Sequence, residues 1–596
     1  MFLKLFVLLI LIVSVLNLKV VSTSYGRVRG ITEWSDNNNH KYIFKSVPFA
    51  KPPIGDLRFA KPEEPESWEG VRDASKYSKA CMSNVTNSKF AKETDEDCLY
   101  INIFTSENCF KKRCAVIIYF HGGAFKMDSA VMFDDKFILE RYVSEDVIFV
   151  IPAYRLGAFG QLYFGPNDYL TENLLMFDVV KSLHFVHNEI ENFGGDPNRV
   201  TIMGHSAGGT LMDALGFSKL VDPGSSLFQQ IICLSGHGEY GFYDVAVKIS
   251  YDVARKVGCL SEEQDIQRLP EDVAEILKCL RGKDGKDILR AQTEIIDANE
   301  INFKSIIRGA PFMELNGLVS ENKKNAPLRN MICGSTQLEY KNDPYQFHAA
   351  GTFLDFENPH EVVSHYYESM EGHEDTWIDP LSAAIYISAR TYCEAISLAG
   401  GNAFVFESKQ KPNSSHLSDM QYFIGIHREK NHTSDMDVVD SFYSKMLVNF
   451  TKYGEPSPEW EKLDPERMNF LEMKYDSELG EGPVMREGYH EKDYNFWFGP
   501  VMDYDEYVTE KNKLQHSSPL KLKSPIIPGK TGEKMRNTTE IGTTTSKNHV
   551  PDDEYSSSVF KQWWFYLIIL IVVMVAVLVF ITRQKTKTDE NIPLLA

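Results

Sequence analysis

A serine between two glycines is the residue of this 596-residue chain that is best placed to do chemistry. It lies in the stretch VTIMGHSAGGT, where Gly204 and Gly208 flank Ser206. An apolar run precedes the serine, and small residues that suit a helix follow it. A serine at a sharp strand-to-helix turn presents its hydroxyl for nucleophilic attack. The flanking glycines are explained if a Cβ at either position would collide with the neighbouring strand or helix. A tight turn without chemistry is the alternative, and the pattern favours the nucleophile.

A second pair of glycines could stabilise the negative charge that such an attack creates. His121, Gly122 and Gly123 follow the apolar run AVIIYF. We expect the backbone N–H groups of Gly122, Gly123 and Ala207 to converge on the carbonyl oxygen of a bound ester as an oxyanion hole. Each such donor is worth about 3–4 kcal/mol in the transition state. We expect His121 itself to be a packed, hydrogen-bonded structural residue.

Strands and helices must hold these groups, and the sequence alternates between the two. Four β-rich apolar runs predict strands: CAVIIYFHGG, DVIFVIPAYRLG, RVTIMGHS and SLFQQIICLSG. The segment LLMFDVVKSLHFVHNEIENFGG, from Leu174, has apolar residues at helical spacing and stops at Gly-Gly. This alternation predicts an α/β fold with a large, mostly parallel central sheet flanked by helices.

Both ends of the chain have the composition of membrane-targeting segments. The apolar start predicts a secretory signal peptide over residues 1–22, with an uncleaved anchor as the alternative. The uncharged stretch from Trp563 to Ile581 is long enough to span a bilayer, and basic residues follow it. We therefore predict a globular domain over 23–510, a flexible stalk over 511–560, a transmembrane helix over 561–582 and a cytoplasmic tail over 583–596.

This topology predicts a single-pass type I membrane protein with a lumenal or extracellular ectodomain. The tail places Glu590 four residues before Leu594-Leu595, which resembles a dileucine sorting signal, although a tail without a sorting role fits equally well. An endosomal or lysosomal membrane and the cell surface are both consistent with it. Five glycosylation sequons agree with a lumenal ectodomain. They are Asn84, Asn413, Asn431, Asn449 and Asn537.

Composition limits the partners of the protein. The formal net charge of −20 argues against nucleic acid, because phosphates would be repelled. No Cys/His cluster has metal-ligand spacing, so we predict no metal and no other cofactor. The oligomeric state stays open.

Several segments, in order along the N-terminal half of the predicted ectodomain, resemble the type-B carboxylesterases, the family that includes the cholinesterases and the neuroligins. They are VPFAKPPIGDLRFAKPEEPESWEG, EDCLYINIF, YFHGGAF, PAYRLGAFG, FGGDPNRVTIMGHSAGG and the LSG at 234–236. The second half of the chain matches more loosely. The resemblance implies an α/β-hydrolase fold and a Ser–Glu–His triad in that chain order.

The resemblance also places the two partners of Ser206. In MICGSTQLEY the acid is Glu339, five residues after Gly334, and Asp343 is the alternative because Tyr340 stands where relatives have glycine. In SHLSDMQYFIG the base is His416, and Asp419 is expected to shape the loop. The competing histidines nearby, without that pattern, are His427 and His432.

Nine cysteines fit an oxidising compartment. Cys81–Cys98 and Cys259–Cys279 match two disulfide loops of the resembled family. The short spacing of Cys109 and Cys114 suggests a further small loop. Three cysteines in apolar contexts are expected to be buried thiols. They are Cys233, Cys333 and Cys393.

These residues together predict a serine carboxylic-ester hydrolase that acts on a small-molecule ester through an acyl-enzyme. Transfer of the acyl group to an alcohol or sugar uses the same intermediate and stays open. A silent, neuroligin-like adhesion ectodomain is the alternative, which the retained serine, glutamate and histidine disfavour. Cholinesterase activity is rejected, because no tryptophan lies between Cys81 and Cys98 and because His205 replaces the glutamate that precedes the nucleophile in those enzymes.

Overall fold

The computed structural model describes residues 18–33, 39–84, 93–219, 221–236, 238, 240–241, 243–261, 270–299, 306–309, 311–313, 323–340, 354, 356–370 and 380–515. All of them fall within one compact unit, which ends at Ile527. The predicted transmembrane helix and tail, most of the predicted stalk, Asp343 and Asn537 lie outside the described residues. Among the residues that are described, no helix is both long and apolar enough to cross a bilayer.

Thirteen strands of the described chain form one mixed sheet, which organises the fold. Two short pairs, β5 with β6 and β12 with β13, lie apart from it. In chain order the strands are β1 Leu18–Thr23, β2 Gly26–Glu33, β3 Lys41–Pro48, β4 Val71–Asp73, β5 Ala80–Cys81, β6 Thr94–Asp95, β7 Tyr100–Ser106, β8 Cys114–Phe120, β9 Val147–Pro152, β10 Gly195–His205, β11 Gln230–Leu234, β12 Tyr240–Gly241, β13 Ile306–Ile307, β14 Asn330–Thr336, β15 Ala403–Ser408, β16 Phe470–Met473 and β17 Val484–Arg486.

The order across the large sheet is β1-β2-β3-β7-β9-β8-β10-β11-β14-β15-β16-β17, with β4 paired to β2. From β9 through β16 each neighbouring pair is parallel. The strands at both edges are antiparallel, as in β1 with β2 and β16 with β17. The expectation of a mostly parallel sheet therefore holds for the centre and is wrong for the edges. Short connections such as the one between β1 and β2 allow antiparallel pairing, whereas parallel strands need long crossovers.

Helices connect the central strands and cover the sheet. The helices of the described residues are α1 Glu107–Lys112, α2 Asp135–Arg141, α3 Gly157–Gln161, α4 Leu174–Glu189, α5 Ala207–Gly216, α6 Tyr243–Lys256, α7 Pro270–Arg281, α8 Gly285–Asn299, α9 Pro359–Met370, α10 Pro380–Leu398, α11 Met420–Phe423, α12 Ser434–Tyr453, α13 Glu491–Phe496 and α14 Met502–Gln515. The predicted helix from Leu174 is α4, and the four predicted strands are β8, β9, β10 and β11. Every residue of β8 and β9 is buried, as expected for strands in the middle of a covered sheet.

Two predicted domain boundaries cut through regular structure. Residues 18–22, assigned to the leader, form five of the six residues of β1, which pairs with β2 along its whole length. Cleavage after residue 22 would therefore remove five of the six residues of this edge strand. A signal peptide that leaves β1 intact would end by residue 17. At the other end α14 runs to Gln515, five residues past the predicted limit of 510.

Four disulfides join cysteines of the described chain. The pairs Cys81–Cys98 and Cys259–Cys279 confirm the two loops that the resemblance implied, and Cys109 pairs with Cys114 as their spacing suggested. Cys233 is a buried free thiol, as expected.

The expectation of free thiols at Cys333 and Cys393 is wrong, because these two residues form the fourth disulfide. Cys333 lies on β14 and Cys393 on α10, which packs against that strand. A separation of 60 residues gives no local signal for this pairing. An apolar context also suits a buried disulfide as well as it suits a buried thiol.

Candidate active site

The turn between β10 and α5 carries Ser206. The strand ends at His205 and the helix begins at Ala207, which leaves the serine alone at φ 57° and ψ −124°. A side chain at positive φ is strained, and such strain persists only where surrounding contacts hold it. Here the Ser206 N–H donates to the Leu234 carbonyl at 3.0 Å, and the Ser206 carbonyl accepts from Thr210 N–H at 3.0 Å. The turn therefore places the Ser206 side chain beyond the end of β10, before the first turn of α5.

The two flanking glycines are required by close backbone packing. A Cβ on Gly204 would lie 2.1 Å from the Gly208 carbonyl oxygen, because the helix folds back over the strand. A Cβ on Gly208 would lie 2.2 Å from the carbonyl oxygen of Phe120, at the end of β8. Both distances are far below van der Waals contact. The predicted collision with the neighbouring strand and helix is confirmed.

His416 joins Ser206 to Glu339 through one continuous chain of hydrogen bonds. Its Nε2 atom lies 2.8 Å from Ser206 Oγ, and its Nδ1 atom lies 2.6 Å from Glu339 Oε2. The backbone adds a third tie, since His416 N–H donates to the Glu339 carbonyl at 3.0 Å. The structure thus brings together the three residues that the sequence placed at 206, 339 and 416.

The loops after β14 and β15 position this chain, because parallel neighbours end at the same edge of the sheet. Leu338 and Ser415 form an isolated parallel bridge between the two loops. It sets Glu339 and His416, each one residue further along, side by side.

The Glu339 carboxyl is held by donors on both oxygens. Oε1 accepts from the Ser235 hydroxyl at 2.7 Å and from Thr336 N–H at 2.6 Å, while Oε2 faces His416. Burial raises the pKa of Glu339, and the bonds from Thr336 and Ser235 oppose that rise because they stabilise the charged form. The carboxyl is therefore fixed in orientation. Its Oε1 is occupied by Thr336 and Ser235, and its Oε2 accepts from the imidazole.

The imidazole of His416 has the protonation state that a general base needs. Burial lowers the pKa of His416 below its ordinary value of 6.5, because the protonated ring is deprived of water. The neutral ring then carries its hydrogen on Nδ1, facing the Glu339 carboxyl. Its Nε2 is left as the acceptor for the hydroxyl hydrogen of Ser206.

The other acid and the other bases of the two loops that the structure describes lie outside this chain of hydrogen bonds. Asp419 is buried and accepts from the Tyr443 hydroxyl at 2.9 Å, and burial raises its pKa to about 7. This bond ties the loop to α12, in agreement with the loop-shaping role expected for Asp419. His432 pairs with Asp437 on the surface of α12, at 2.9 Å. His427 lines a cavity beside the site and makes no contact in the chain of hydrogen bonds.

Tyr340 does not displace the acid, although relatives have glycine at this position. Its N–H donates to the Ser382 hydroxyl at 2.9 Å, which fixes the backbone after Glu339. Its ring lies 4.4 Å from the ring of His416, centroid to centroid. The larger side chain thus covers the imidazole instead of distorting the turn.

Two of the predicted oxyanion donors, Gly122 and Ala207, adjoin the serine by backbone position. A Cβ on Gly122 would lie 3.1 Å from Ser206 Cβ, so this peptide abuts the nucleophile. Gly123 has φ +97°, and Ala207 is the first residue of α5, where N–H groups have no partner within the helix. His121 packs as expected for a structural residue: its ring stacks on Tyr154 at 4.5 Å.

Two supporting side chains were not assigned a role from the sequence. Ser235 belongs to the LSG motif, so the motif itself was the available signal for the donor to Glu339. His205 donates from Nε2 to the His416 carbonyl at 2.9 Å and thereby ties the histidine loop to the nucleophile turn. Its place directly before the serine was noticed in the sequence, but only the fold shows what it contacts.

A cavity of 410 Å³ opens beside the imidazole. Its lining residues include Tyr340, Ser415, His416, Leu417 and His427. Among the described residues one cluster has the spacing of metal ligands, Cys109, Cys114 and Asp146, but its two cysteines are joined in a disulfide and offer no thiolate. The arrangement around Ser206 can activate its hydroxyl and accept the proton of that hydroxyl.

A profile of the carboxylesterase family matches residues 17–384, a range that includes Ser206 and Glu339 and ends before His416. The chain is 35% identical to acylcarnitine hydrolase of Mus musculus over 285 residues, and this alignment covers 45% of this chain and 48% of that protein. It is 38% identical over 200 residues to gut esterase 1 of Caenorhabditis elegans, covering 33% of this chain and 34% of that protein. The aligned regions therefore span about half or less of these curated relatives. A solved structure of PNB esterase superposes with a TM-score of 0.64 at 23% identity, over 80% of this chain and 98% of that one, and supports the α/β-hydrolase-like fold.

Proposed function

The chain belongs to the carboxylesterase family, and from that premise we propose that it hydrolyses small-molecule carboxylic esters with Ser206 as the nucleophile. The observation that carries the proposal is the unbroken chain of hydrogen bonds from Ser206 Oγ through His416 to Glu339. A serine hydroxyl is a weak nucleophile unless a positioned base removes its proton.

The proposed reaction has two halves. His416 Nε2 takes the proton of Ser206 as its Oγ attacks the ester carbonyl, and the oxyanion is stabilised by the N–H groups of Gly122, Gly123 and Ala207. The imidazolium then gives this proton to the leaving alcohol, and an acyl-enzyme remains on Ser206. In the second half His416 removes a proton from water, the hydroxide adds to the acyl carbon, and the carboxylic acid leaves as Ser206 regains its hydrogen.

The same mechanism also allows transfer of the acyl group from Ser206 to another alcohol. An alcohol or sugar hydroxyl in place of water would give a new ester and the same free Ser206. Ser206 and His416 are each less than a tenth exposed, which favours a site where an acceptor competes with water. The acyl group, the leaving alcohol and the acceptor are left open by this proposal.

We also propose that the catalytic domain is lumenal or extracellular and anchored by the apolar stretch near the C-terminus. The disulfides support an oxidising compartment, since such bonds rarely persist in the cytosol. Among the proposed glycan acceptors Asn84, Asn413 and Asn431 are exposed. Asn449 is half-buried in α12 and donates its amide to the Pro456 carbonyl at 3.0 Å, which makes it the weakest candidate.

An organophosphonate probe tests the function on the full-length chain, with Ser206→Ala as the control. We expect stoichiometric labelling of Ser206 that the alanine variant loses, together with ester hydrolysis that the probe abolishes. A folded chain that never reacts would instead support the adhesion alternative. Product analysis with added alcohols then measures how the acyl group divides between water and the acceptor.

A further inference from the structure

A second histidine, His490, is connected to Glu339 through the side chain of Tyr386. His490 precedes α13, and its two ring nitrogens each face a carboxylate: Nδ1 lies 2.9 Å from Asp493 Oδ2 and Nε2 lies 3.2 Å from Glu407 Oε1. A carboxylate only accepts hydrogen bonds, so both nitrogens must carry hydrogen. An imidazole with two N–H groups is a cation, and the side chain of His490 is only 13% exposed.

The groups around His490 balance its charge. Burial alone lowers the pKa of His490, but its bonds to Asp493 and Glu407 outweigh that effect and raise the pKa above the ordinary value. Glu407 is shared with Lys409, whose Nζ lies 2.8 Å from Oε2, and the positive neighbours hold the pKa of Glu407 below its ordinary value despite burial. The hydrogen-bond geometry and the neighbouring carboxylates therefore both favour the protonated form of His490.

The cation reaches the acid turn through one aromatic side chain. The Tyr386 ring stacks on His490 with centroids 3.5 Å apart and planes 11° from parallel. The Tyr386 hydroxyl donates to the Gln337 carbonyl at 2.8 Å and accepts from Glu339 N–H at 3.4 Å. The same tyrosine thus touches the cation with its face and the backbone of Glu339 with its hydroxyl.

The backbone before His490 is fixed from two further elements. The Tyr489 hydroxyl is 2.7 Å from Ser335 Oγ on β14, and the Tyr489 carbonyl accepts from Arg390 on α10 at 3.0 Å. The titratable and charged groups around the cation are accordingly Asp493, Glu407, Lys409, Glu339, Tyr386, Tyr489 and Arg390. Burial raises the pKa of Glu339, and the positive charge of His490 is among the influences that oppose this rise.

We propose that His490 is a positioning residue for the esterase reaction: its imidazolium favours the ionised form of Glu339 through space, and Tyr386, stacked on it, holds the turn that carries Glu339. The inference rests on the proposed function, because it assigns His490 a role only through the acid of that site. A buried positive charge beside the Glu339–His416 pair disfavours protonation of the pair. Its removal must therefore move the acid limb of the pH profile upward.

The test is the pH dependence of Ser206 labelling by an organophosphonate, measured on the full-length chain between pH 5 and 9. In His490→Gln the midpoint of the acid limb rises by about one pH unit, the order expected for loss of one nearby charge. His490→Lys keeps the charge and keeps the midpoint near that of the wild type. His432→Gln is the matched control, because His432 also pairs with a carboxylate but lies on the surface, and its profile superposes on the wild type.

A background variant separates this role from a merely structural one. Glu339→Gln reacts far more slowly, so its residual labelling is followed at high probe concentration. No carboxylate remains at position 339 in this background, so adding His490→Gln moves the midpoint of that residual labelling no further. A His490→Gln profile that matches His432→Gln, or an equal shift in the Glu339→Gln background, overturns the inference while the esterase proposal stands. A wild-type chain that takes up no label overturns both.

Should His490→Gln fail to fold, Tyr386→Phe tests the mechanical link. It removes the hydroxyl between Gln337 and Glu339 and leaves the cation in place. We expect the labelling rate at its plateau to fall about fivefold with an unchanged midpoint, the size of one modest hydrogen bond. A plateau labelling rate in Tyr386→Phe equal to that of His432→Gln would show that Tyr386 does not support the turn that carries Glu339, and would overturn the inference.

Discussion

Replacing Glu339 by glutamine changes one atom and reverses the direction of a hydrogen bond. Oε1 accepts from Thr336 N–H and from the Ser235 hydroxyl, so this position must remain an oxygen. A nitrogen there would place N–H against N–H in a buried site, which costs about 1–3 kcal/mol for each unsatisfied group. The amide nitrogen of Glu339→Gln is therefore forced to the Oε2 side, facing His416.

The imidazole must then change its tautomer. With a donor opposite it, His416 Nδ1 becomes the acceptor, and the ring hydrogen moves to Nε2, which is 2.8 Å from Ser206 Oγ. A protonated Nε2 cannot remove the serine proton. A wrong-tautomer imidazole of this kind lowers kcat by about 10³–10⁴, equivalent to about 4–5.5 kcal/mol in the activation barrier.

The assay is the hydrolysis of a p-nitrophenyl ester at saturating substrate, with the protein concentration taken from absorbance and the fold checked by circular dichroism. Asp419→Asn is the matched control, since Asp419 is equally buried but bonds to Tyr443 and not to the imidazole. We expect it to keep kcat within about threefold of the wild type, because no reacting group loses a partner. A Glu339→Gln variant with kcat within tenfold of the wild type, or an Asp419→Asn variant with an equal loss, would refute the tautomer argument.

Three further predictions concern stability. Gly208→Ala should lose at least about 3 kcal/mol of unfolding free energy in urea, because its Cβ would lie 2.2 Å from a backbone oxygen. Gly482→Ala, where a Cβ meets nothing within 4 Å, should change it by less than about 0.5 kcal/mol, and an equal effect at both sites would contradict the packing argument. Replacing Cys333 and Cys393 together by alanine should lower the free energy of unfolding by about 2–4 kcal/mol. Peptide mapping of the wild type without reductant should recover the two cysteines as one disulfide-linked pair. Two free thiols at these positions would disprove the pairing. Burial lowers the pKa of His121 to about 4. The unfolded chain therefore binds more protons than the folded one between about pH 6.5 and 4, so stability is lost as the pH falls through this window. His121→Phe should flatten that loss in urea titrations at several pH values, and an unchanged slope would count against a neutral His121.

Much of the site could be predicted because its residues lie in short, dense motifs. The turn at Ser206 needs glycines on both sides for reasons of local packing, and that requirement is visible within the run GHSAGG. Glu339 and His416 were found by resemblance to a family pattern, which carried past the departure at Tyr340. Only the coordinates show that these two side chains meet Ser206, because residues a few positions apart in a loop can point in opposite directions.

The supporting side chains show where sequence reasoning stops. His490 stands 151 positions after Glu339, and Tyr386 lies between them in the chain, so nothing local joins the three. The disulfide between Cys333 and Cys393 was missed for the same reason. The antiparallel edges of the sheet were missed because apolar runs predict strands without fixing the direction of their neighbours.

The amino-acid sequence alone determined which local turns can exist, where apolar segments must be buried and which side chains have the chemistry of a nucleophile, an acid and a base. These are properties of neighbouring residues, set by steric limits and by side-chain type. The tertiary structure alone decided which of those groups meet, which hydrogen bonds orient them and which charges face them. Those outcomes depend on distances between residues far apart in the chain, and such distances arise only when the whole sheet assembles.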